Sequence, residues 1–387
     1  MFDRHSHIGH SAYLDLKRKL QDDRLLEIKG SPTRVTVKGK VFWYDKYRLG
    51  TRLVQKYIGE DTAELRERLQ QIDLLKQQEK KRAADKTRLI RVLRAEGYGS
   101  VGAQFGSLLA AFAKSGVFRL GGTLIGTLAF QLYEAELGLR MSFDQLAQTD
   151  DLDIASFERL SLVLADETTE SVAGVLAEMS FDPVPSLDPI RTWRWRDTTR
   201  ETLVEFLTPA FGEEGLRDLP ALGVSAQALN YLNFLIADPI PAVALYRSGV
   251  LVQIPRPEAY AIHKLIVADR RREGTDSLKS HKDRSQAAFL IEALAEDRPD
   301  ELAEAYEDAI GRGPKWRERI GRSLSKMPES ASRLATIAEE IGVGTDVTAH
   351  DDVRALVRSR ARFKQADHPS VFVVEGDATK LEDVRQV

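Results

Sequence analysis

The chain has 387 residues, which is room for two or three domains of the usual size of roughly 150 residues. Hydrophobic residues make up 43% of it and charged residues 30%, a balance that predicts a folded protein with a sizeable core. The 56 basic and 59 acidic side chains give a net charge of −3, which argues against a uniformly basic nucleic-acid coat protein but not against local basic patches. Because the chain has no cysteine, disulfide scaffolds, cysteine zinc sites, iron–sulfur clusters and thiol nucleophiles are excluded.

The first twenty residues carry charges and histidines where a signal peptide would need an apolar core. No uncharged apolar run reaches the roughly 18 residues that a membrane helix requires. We therefore expect a cytoplasmic protein with no membrane span. We interpret His5, His7 and His10 as part of a frayed terminus.

Residues 1–59 combine a short amphipathic helix with a β-like pattern. Val35, Val37, Val41 and Trp43 alternate with basic or polar residues, which predicts a small antiparallel meander with glycine turns. Basic and aromatic side chains are interleaved along it, as on surfaces where cations contact phosphates and rings stack on bases. An ordinary small sheet with solvent-directed lysines fits the pattern equally well. The candidate nucleic-acid-binding residues are Lys38, Lys40, Trp43, Tyr44 and Arg48.

The rest of the chain alternates between helical and extended patterns, which favours an α/β core. The helix predicted over 61–95 is highly charged, and it could be a connector or pair with a second chain, so the oligomeric state stays open. The alternating residues Trp193 and Trp195 are interpreted as packing, with stacking of one of them on a base as the alternative. Further predicted helices cover 104–114, 128–137, 156–164, much of 257–342, and 353–364; predicted strands cover 117–124, 192–196, 202–207, a hairpin at 243–254, and 371–374.

Two aspartates, Asp151 and Asp153, stand two residues apart in the segment TDDLDIA. On a strand, this spacing puts both carboxylates on one face and turns Leu152 and Ile154 towards the core. Adjacent carboxylates repel each other unless a cation lies between them. Since Mg²⁺ prefers oxygen ligands and keeps positions for water and phosphate, the pair is a candidate magnesium platform.

Gly126 and Thr127 lie between a predicted strand and a helix in the segment LIGT. A glycine there lets the backbone approach a phosphate closely, and the free N–H groups of the helix favour an anion. Later in the chain, Glu205 is the one acid in the amphipathic strand VEFL, so it is a candidate third metal ligand or base for an attacking hydroxyl. The simpler alternative for Glu205 is an exposed strand residue.

Together, the LIGT and TDDLDIA segments and the later acid resemble the nucleotidyltransferase superfamily with a DNA polymerase β-like palm. The chain more closely resembles the bacterial nucleotidyltransferase-fold proteins of the GSU2403 type. That resemblance extends to KGKVFWY, VEFLTP, IPRPEAYAIHKLIVADRR and SHKDRSQAAFLIEAL, and so to most of the chain from about Ser31 to Leu294. Three details depart from the common pattern: the 24 residues between Gly126 and Asp151 are more than in its compact form, Thr127 stands where a serine is commoner, and Glu205 stands where an aspartate is.

The resemblance implies an α/β (α+β) nucleotidyltransferase palm with a helical C-terminal domain and, before it, the small antiparallel meander and long helix. The predicted parts are the helix and meander at 1–59, the connector helix at 60–96, the palm at 97–256, the helical domain at 257–345, and a basic helix and tail at 346–387.

The resemblance also implies Mg²⁺-dependent transfer of a nucleotidyl group from an NTP to an acceptor hydroxyl. Asp151, Asp153 and Glu205 would be the catalytic and metal-binding residues, and Gly126, Thr127 and Lys264 would bind the nucleotide. The acceptor stays open between RNA, such as a tRNA end, and a protein. A toxin or phage-defence setting, with an antitoxin partner, is an analogy at fold level only. The alternatives are a catalytically inactive palm that binds nucleic acid, and nucleotidylation of a small molecule.

Overall fold

The computed structural model describes residues 2–24, 31–37, 39–49, 52–141, 149, 151–157, 168, 170–186, 188–271 and 277–340. Lys38, most of the helix predicted at 156–164, and the helix and strand predicted at 353–364 and 371–374 lie outside these residues. In the part that is described, no helix is both long and apolar enough to cross a bilayer.

The described helices are α1 (His7–Arg24), α2 (Ala63–Ala95), α3 (Ala103–Ser115), α4 (Gly126–Leu137), α5 (Val172–Glu178), α6 (Leu232–Leu235), α7 (Pro257–Arg270), α8 (Ser277–Asp297), α9 (Pro299–Gly311), α10 (Pro314–Leu324) and α11 (Pro328–Glu340). The strands are β1 (Ser31–Val37), β2 (Lys40–Leu49), β3 (Arg52–Glu60), β4 (Thr123–Ile125), β5 (Asp151–Ala155), β6 (Phe181–Pro183), β7 (Arg194–Asp197), β8 (Leu203–Pro209), β9 (Gly215–Leu219), β10 (Val224–Leu229), β11 (Ile240–Ala244) and β12 (Val250–Ile254).

The main sheet is mixed and, within the described residues, contains seven strands. Its path runs β4-β5-β8-β10-β9, and β7 pairs with both β6 and β8. Strands β5 and β8 are parallel, whereas β4 and β7 run antiparallel to their neighbours. The predicted mixed α/β architecture is therefore confirmed.

The alternation of apolar and polar residues decides which side chains of the central strands point into the core. Leu152 and Ile154 on β5 and Val204 and Phe206 on β8 are fully buried, and they form part of the main core. Phe206 lies edge-on to Trp195, with ring centroids 5.3 Å apart, so the packing role predicted for Trp195 is confirmed. Burying one face of the sheet leaves its other face to carry polar side chains.

The strand predicted over 117–124 is wrong in its first part, because the described strand covers only Thr123–Ile125. Gly116 and Gly121 have φ values of +98° and +84°, which break extended backbone. The amide of Gly122 donates to the carbonyl of Val117 over 2.9 Å, closing a turn. The apolar residues of this stretch are buried as the pattern suggests, but their backbone forms a turn and not a strand.

The three antiparallel strands β1, β2 and β3 form the predicted meander, and Gly39 adopts a φ of +78° at its first turn. Helix α1 packs elsewhere: Tyr13 and Leu16 are buried with Ile90 and Leu93 of α2 and with Val243 of β11. One apolar cluster therefore contains residues from three predicted parts of the chain, 1–59, 60–96 and 97–256. The boundaries between these parts stay predictions.

The interpretation of the N-terminal histidines as frayed is wrong for His5. Its ring is buried, stacks on Tyr98 with centroids 3.7 Å apart, and lies 3.1 Å from a carboxylate oxygen of Glu134 on α4. The backbone is also tied down, since the His5 amide donates to the carbonyl of Gly138 over 2.9 Å. Burial raises the pKa of Glu134 to about 7 and lowers the pKa of His5.

Helices α7 to α11 form the helical part predicted after residue 256, and α7 begins at Pro257, a favoured first helical residue. The buried carboxylate of Asp269 near the end of α7 accepts from Arg319 over 2.9 Å and from Arg322 over 2.7 Å, both on α10. These charge-assisted bonds fix α7 against α10, and α7 is the helix that carries Lys264.

Candidate active site

Strand β5 presents Asp151 and Asp153 on one face of the main sheet, as their spacing predicts. Both side chains are half-buried, whereas the intervening Leu152 is fully buried. Asp153 pairs with Ile125 of β4 on one side and with Glu205 of β8 on the other. Because paired residues project to the same face, the register brings all three acids together on that face.

The environment of Asp153 resists a negative charge. Burial is the main cause of a pKa raised to about 7, and the nearby charges of Glu205 and Asp151 add to the shift. The cations of Lys264 and Arg271 act in the opposite direction. No described residue donates a hydrogen bond to the Asp153 carboxylate, so a bound cation would relieve an existing electrostatic cost.

Gly126 brings the backbone against this carboxylate. It begins α4 with a φ of +67°, and a Cβ atom placed on it would lie 2.2 Å from Oδ2 of Asp153. The hydroxyl of Tyr260 donates to the Gly126 carbonyl over 2.9 Å and anchors this turn to α7. Thr127 follows as the second residue of α4, half-buried. Among the described residues no side chain caps the first turn of α4, which leaves its N–H groups available to an anion.

Glu205 is half-buried on the same face and is held by a cation from the next strand. Its Oε1 lies 2.7 Å from Nε of Arg194, with which it is directly paired in the β7–β8 register. Burial raises the pKa of Glu205, while Arg194 lowers it. A role for Glu205 as metal ligand or base stays a prediction, and one of its carboxylate oxygens, Oε1, is engaged by Arg194.

Lys264 is buried on α7 and makes an ion pair with Asp283 of α8, its Nζ lying 2.6 Å from Oδ1. Arg271 takes the other carboxylate oxygen of Asp283, also at 2.6 Å. On α8, burial and the charge of Lys264 lower the pKa of Lys282, while Asp283 and Asp151 raise it. Two cations, Lys264 and Arg271, therefore share the one buried carboxylate of Asp283 beside the acidic face.

The chemistry of the two aspartates fits Mg²⁺, because they offer carboxylate oxygens on one face with no described donor to Asp153. The described residues contain no group of three or more histidine, aspartate or glutamate side chains arranged to hold a metal ion. Glu205, whose Oε1 contacts Arg194, therefore does not complete such a group. The fit therefore rests on Asp151 and Asp153.

The meander places some of the candidate nucleic-acid residues in existing contacts. The indole N–H of Trp43 donates to Asp61 over 2.8 Å, and the Arg34 guanidinium lies 5.6 Å from its ring centre. Tyr44 meets Tyr57 edge-on at 5.6 Å, and the exposed Lys40 lies 3.2 Å from Glu60. Lys38 and the side chain of Arg48 lie outside the described residues.

Sequence reasoning did not find Arg194 and Arg271. A signal for Arg194 exists, because the predicted strands 192–196 and 202–207 form a hairpin, and an antiparallel register centred on the intervening turn pairs Arg194 with Glu205. For Arg271 no such signal exists. It follows the last residue of α7, and its contact with Asp283 depends on how α8 packs against α7.

Comparison with known proteins gives two family matches. A family model described as Nucleotidyltransferase matches residues 103–311, more than half of the chain, and a model described as Domain of unknown function (DUF6788) matches residues 13–67. Neither a curated protein nor a solved structure matches the chain. The first match contains Gly126, both aspartates, Glu205 and Lys264. The chain therefore belongs to the nucleotidyltransferase family.

Proposed function

We propose that the chain transfers a nucleotidyl group from an NTP to an acceptor hydroxyl at the acidic face of β5 and β8, as a palm of the polymerase β-like kind and of the GSU2403 type. The observation that carries the proposal is the position of Asp151 and Asp153 on one face, directly against the Gly126 backbone. The acceptor oxygen bonds to the α-phosphorus, the bond from that phosphorus to the β-phosphate oxygen breaks, and pyrophosphate leaves. The proton of the hydroxyl passes to Glu205 or to water.

The triphosphate side of this site would be built from α4, α7 and α8. The uncapped N–H groups of the first turn of α4 favour an anion, and Thr127 adds a hydroxyl there. Lys264 and Arg271 supply two positive charges against the single carboxylate of Asp283. Such catalysis depends mainly on positioning and on the stabilisation of charge, which suits side chains fixed by helices.

Asp151 and Asp153 would hold Mg²⁺. When bound, the ion would neutralise phosphate charge and lower the pKa of the attacking hydroxyl. Glu205 would join them only after it separates from Arg194. The aspartates also orient the acceptor and the phosphates through their fixed places in the sheet, because β5 is paired on both sides.

Incubation of the purified chain with each of four α-labelled NTPs, Mg²⁺, and total cellular RNA and protein tests the proposal. We expect one class of macromolecule to become labelled, and we expect Asp153→Asn to reduce labelling by about 1,000-fold, since charge stabilisation at the reacting centre is lost. Asp300→Asn, an exposed aspartate in the first turn of α9, is the matched control and should change nothing.

Undiminished labelling by Asp153→Asn would refute the assignment of the site. If no NTP is incorporated while RNA is retained equally by wild type and Asp153→Asn, the protein is instead an inactive palm that binds nucleic acid. A label on a small molecule alone would favour the third alternative, nucleotidylation of a metabolite-sized acceptor.

A further inference from the structure

Strand β7 borders the acidic face on the side away from Gly126. Across the sheet, Arg194 pairs with Glu205, and Arg196 pairs with Leu203, whose other neighbour is Asp151. Since paired residues share a face, both arginines lie on the same face as the carboxylates. The order of strands is β4, β5, β8 and then β7, so the Gly126 turn and the arginines lie on opposite sides of the acids.

The two arginines are available to a ligand in different degrees. Arg196 is exposed. Arg194 is partly exposed, and its guanidinium lies over the ring of Trp193, 4.3 Å from the ring centre, as in a cation–π contact. Its Nε is buried and has no hydrogen-bond acceptor in line among the described residues, although Glu205 lies 2.7 Å away. The pair is therefore held by charge without an aligned hydrogen bond.

The positions of Arg194 and Arg196 indicate which chemical class of acceptor would bind here. A triphosphate bound at the Gly126 turn and near Lys264 already has cations on its own side. Positive side chains on the far side of the carboxylates would face the acceptor, and a guanidinium matches a phosphate group with two parallel hydrogen bonds. A neutral small molecule or a protein hydroxyl has no comparable need for two arginines beside the reacting centre.

We propose, on the basis of the proposed function, that the acceptor is a single-stranded polynucleotide whose phosphates are bound by Arg194 and Arg196. In its absence Arg194 holds Glu205. When a phosphate of the acceptor engages Arg194, Glu205 is released. The terminal hydroxyl gives up its proton to water, its oxygen bonds to the α-phosphorus of the NTP, the bond from that phosphorus to the β-phosphate oxygen breaks, and pyrophosphate leaves. Acceptor binding thus adds a free Glu205 to Asp151 and Asp153 before the nucleotidyl group is transferred.

Binding of a fluorescein-labelled 12-nucleotide single-stranded RNA, followed by anisotropy in the absence of NTP, tests the arginines without any turnover. We expect Arg194→Ala and Arg196→Ala each to weaken binding by about tenfold. Each should also reduce the slope of log affinity against log salt by about 0.7, the value for one phosphate contact on a single strand. Arg194→Lys should restore part of the affinity, because it keeps the charge but not the two-pronged geometry.

The control variant is Arg18→Ala, which removes a surface arginine whose side chain is 74% exposed and which, among the described residues, pairs with Asp15 three positions before it. It should leave both the affinity and the salt slope unchanged. Affinity for a non-hydrolysable NTP should stay within about twofold in Arg196→Ala, since this exposed side chain lies on the acceptor side. Asp153→Asn should retain RNA binding.

Unchanged RNA affinity and salt slope in both Arg194→Ala and Arg196→Ala would overturn the proposal, as would a protein as the labelled product. If the wild type transfers nothing but its RNA binding depends on both arginines, the proposed function fails while the polynucleotide site stands. If transfer to RNA occurs and is insensitive to Arg196→Ala at limiting RNA, the proposed function stands and this inference fails.

Discussion

At the scale of single residues, Gly126 is the position where the smallest substitution should have the largest effect. An added methyl group would lie 2.2 Å from Oδ2 of Asp153, and the φ of +67° disfavours any side chain. We expect Gly126→Ala to lower the free energy of unfolding by about 1–3 kcal/mol. We also expect it to reduce nucleotidyl transfer by about 100-fold, because the carboxylate must move by around an ångström. Urea denaturation and labelled-NTP incorporation measure the two effects.

A second glycine provides the matched control for this substitution. Gly321 lies inside α10, and an added Cβ atom would meet nothing within 4 Å. Gly321→Ala should raise the free energy of unfolding by about 0.5–1 kcal/mol through helix propensity alone, with activity unchanged. Wild-type activity in Gly126→Ala would show that the position of Asp153 does not depend on close approach of this turn.

At the scale of elements, α4 carries a buried carboxylate that links stability to pH. The pKa of Glu134 in the folded protein is about 7, above its ordinary value of 4.5. Between these values the folded chain binds more protons than the unfolded chain, so this contribution to stability is present below pH 4.5 and is lost as pH rises to about 7. We expect Glu134→Gln to raise the melting temperature at pH 8 and to change it little at pH 5.

The exposed Glu67 on α2 supplies the control, because Glu67→Gln removes the same charge without burial. It should shift the melting temperature by a similar small amount at both pH values. The same small shift at pH 5 and pH 8 in Glu134→Gln would mean that Glu134 stays ionised throughout. Differential scanning calorimetry of the full chain at the two pH values separates these outcomes.

Sequence patterns predicted those elements whose features are local. The alternation on β5, the proline at the start of α7 and the meander were all predicted because each depends on a few neighbouring residues. Hairpin β9–β10 was not predicted. The pairing of Arg194 with Glu205 was not predicted either, although the register of the predicted hairpin contains it. His5 was misjudged because its partners lie about 90 to 130 positions away.

At the scale of the whole molecule, α1 is joined to the region that carries the site. Tyr13 is fully buried, its hydroxyl donates to Glu136 over 2.9 Å, and that hydroxyl accepts from the amide of Val243 over 3.2 Å. We expect Tyr13→Ala to lower the free energy of unfolding by about 3–5 kcal/mol, as for other large buried rings. Because the cluster joins distant segments, far-UV circular dichroism and tryptophan fluorescence should report one coincident transition.

Leu14 lies beside Tyr13 on the same helix but is 44% exposed, so Leu14→Ala should change stability by no more than about 0.5 kcal/mol. If Tyr13→Ala instead produced an early partial transition, with the fluorescence of Trp193 and Trp195 unaffected, α1 would be a separate folding unit. Such a result would favour the boundary predicted at residue 59.

The packing of α1 also has an evolutionary consequence. The nucleotidyltransferase match begins at residue 103, yet Ala135 and Val243, which lie inside it, are covered partly by helices that come before it. A gene fusion or recombination event that kept residues 103–311 and replaced the preceding segment would expose the apolar patch around Ala135 and Val243, beside β11. A stable recombinant would therefore need another segment that covers this patch, or polar residues in its place. We expect the helices before residue 103 and the matched region to be inherited together for this reason.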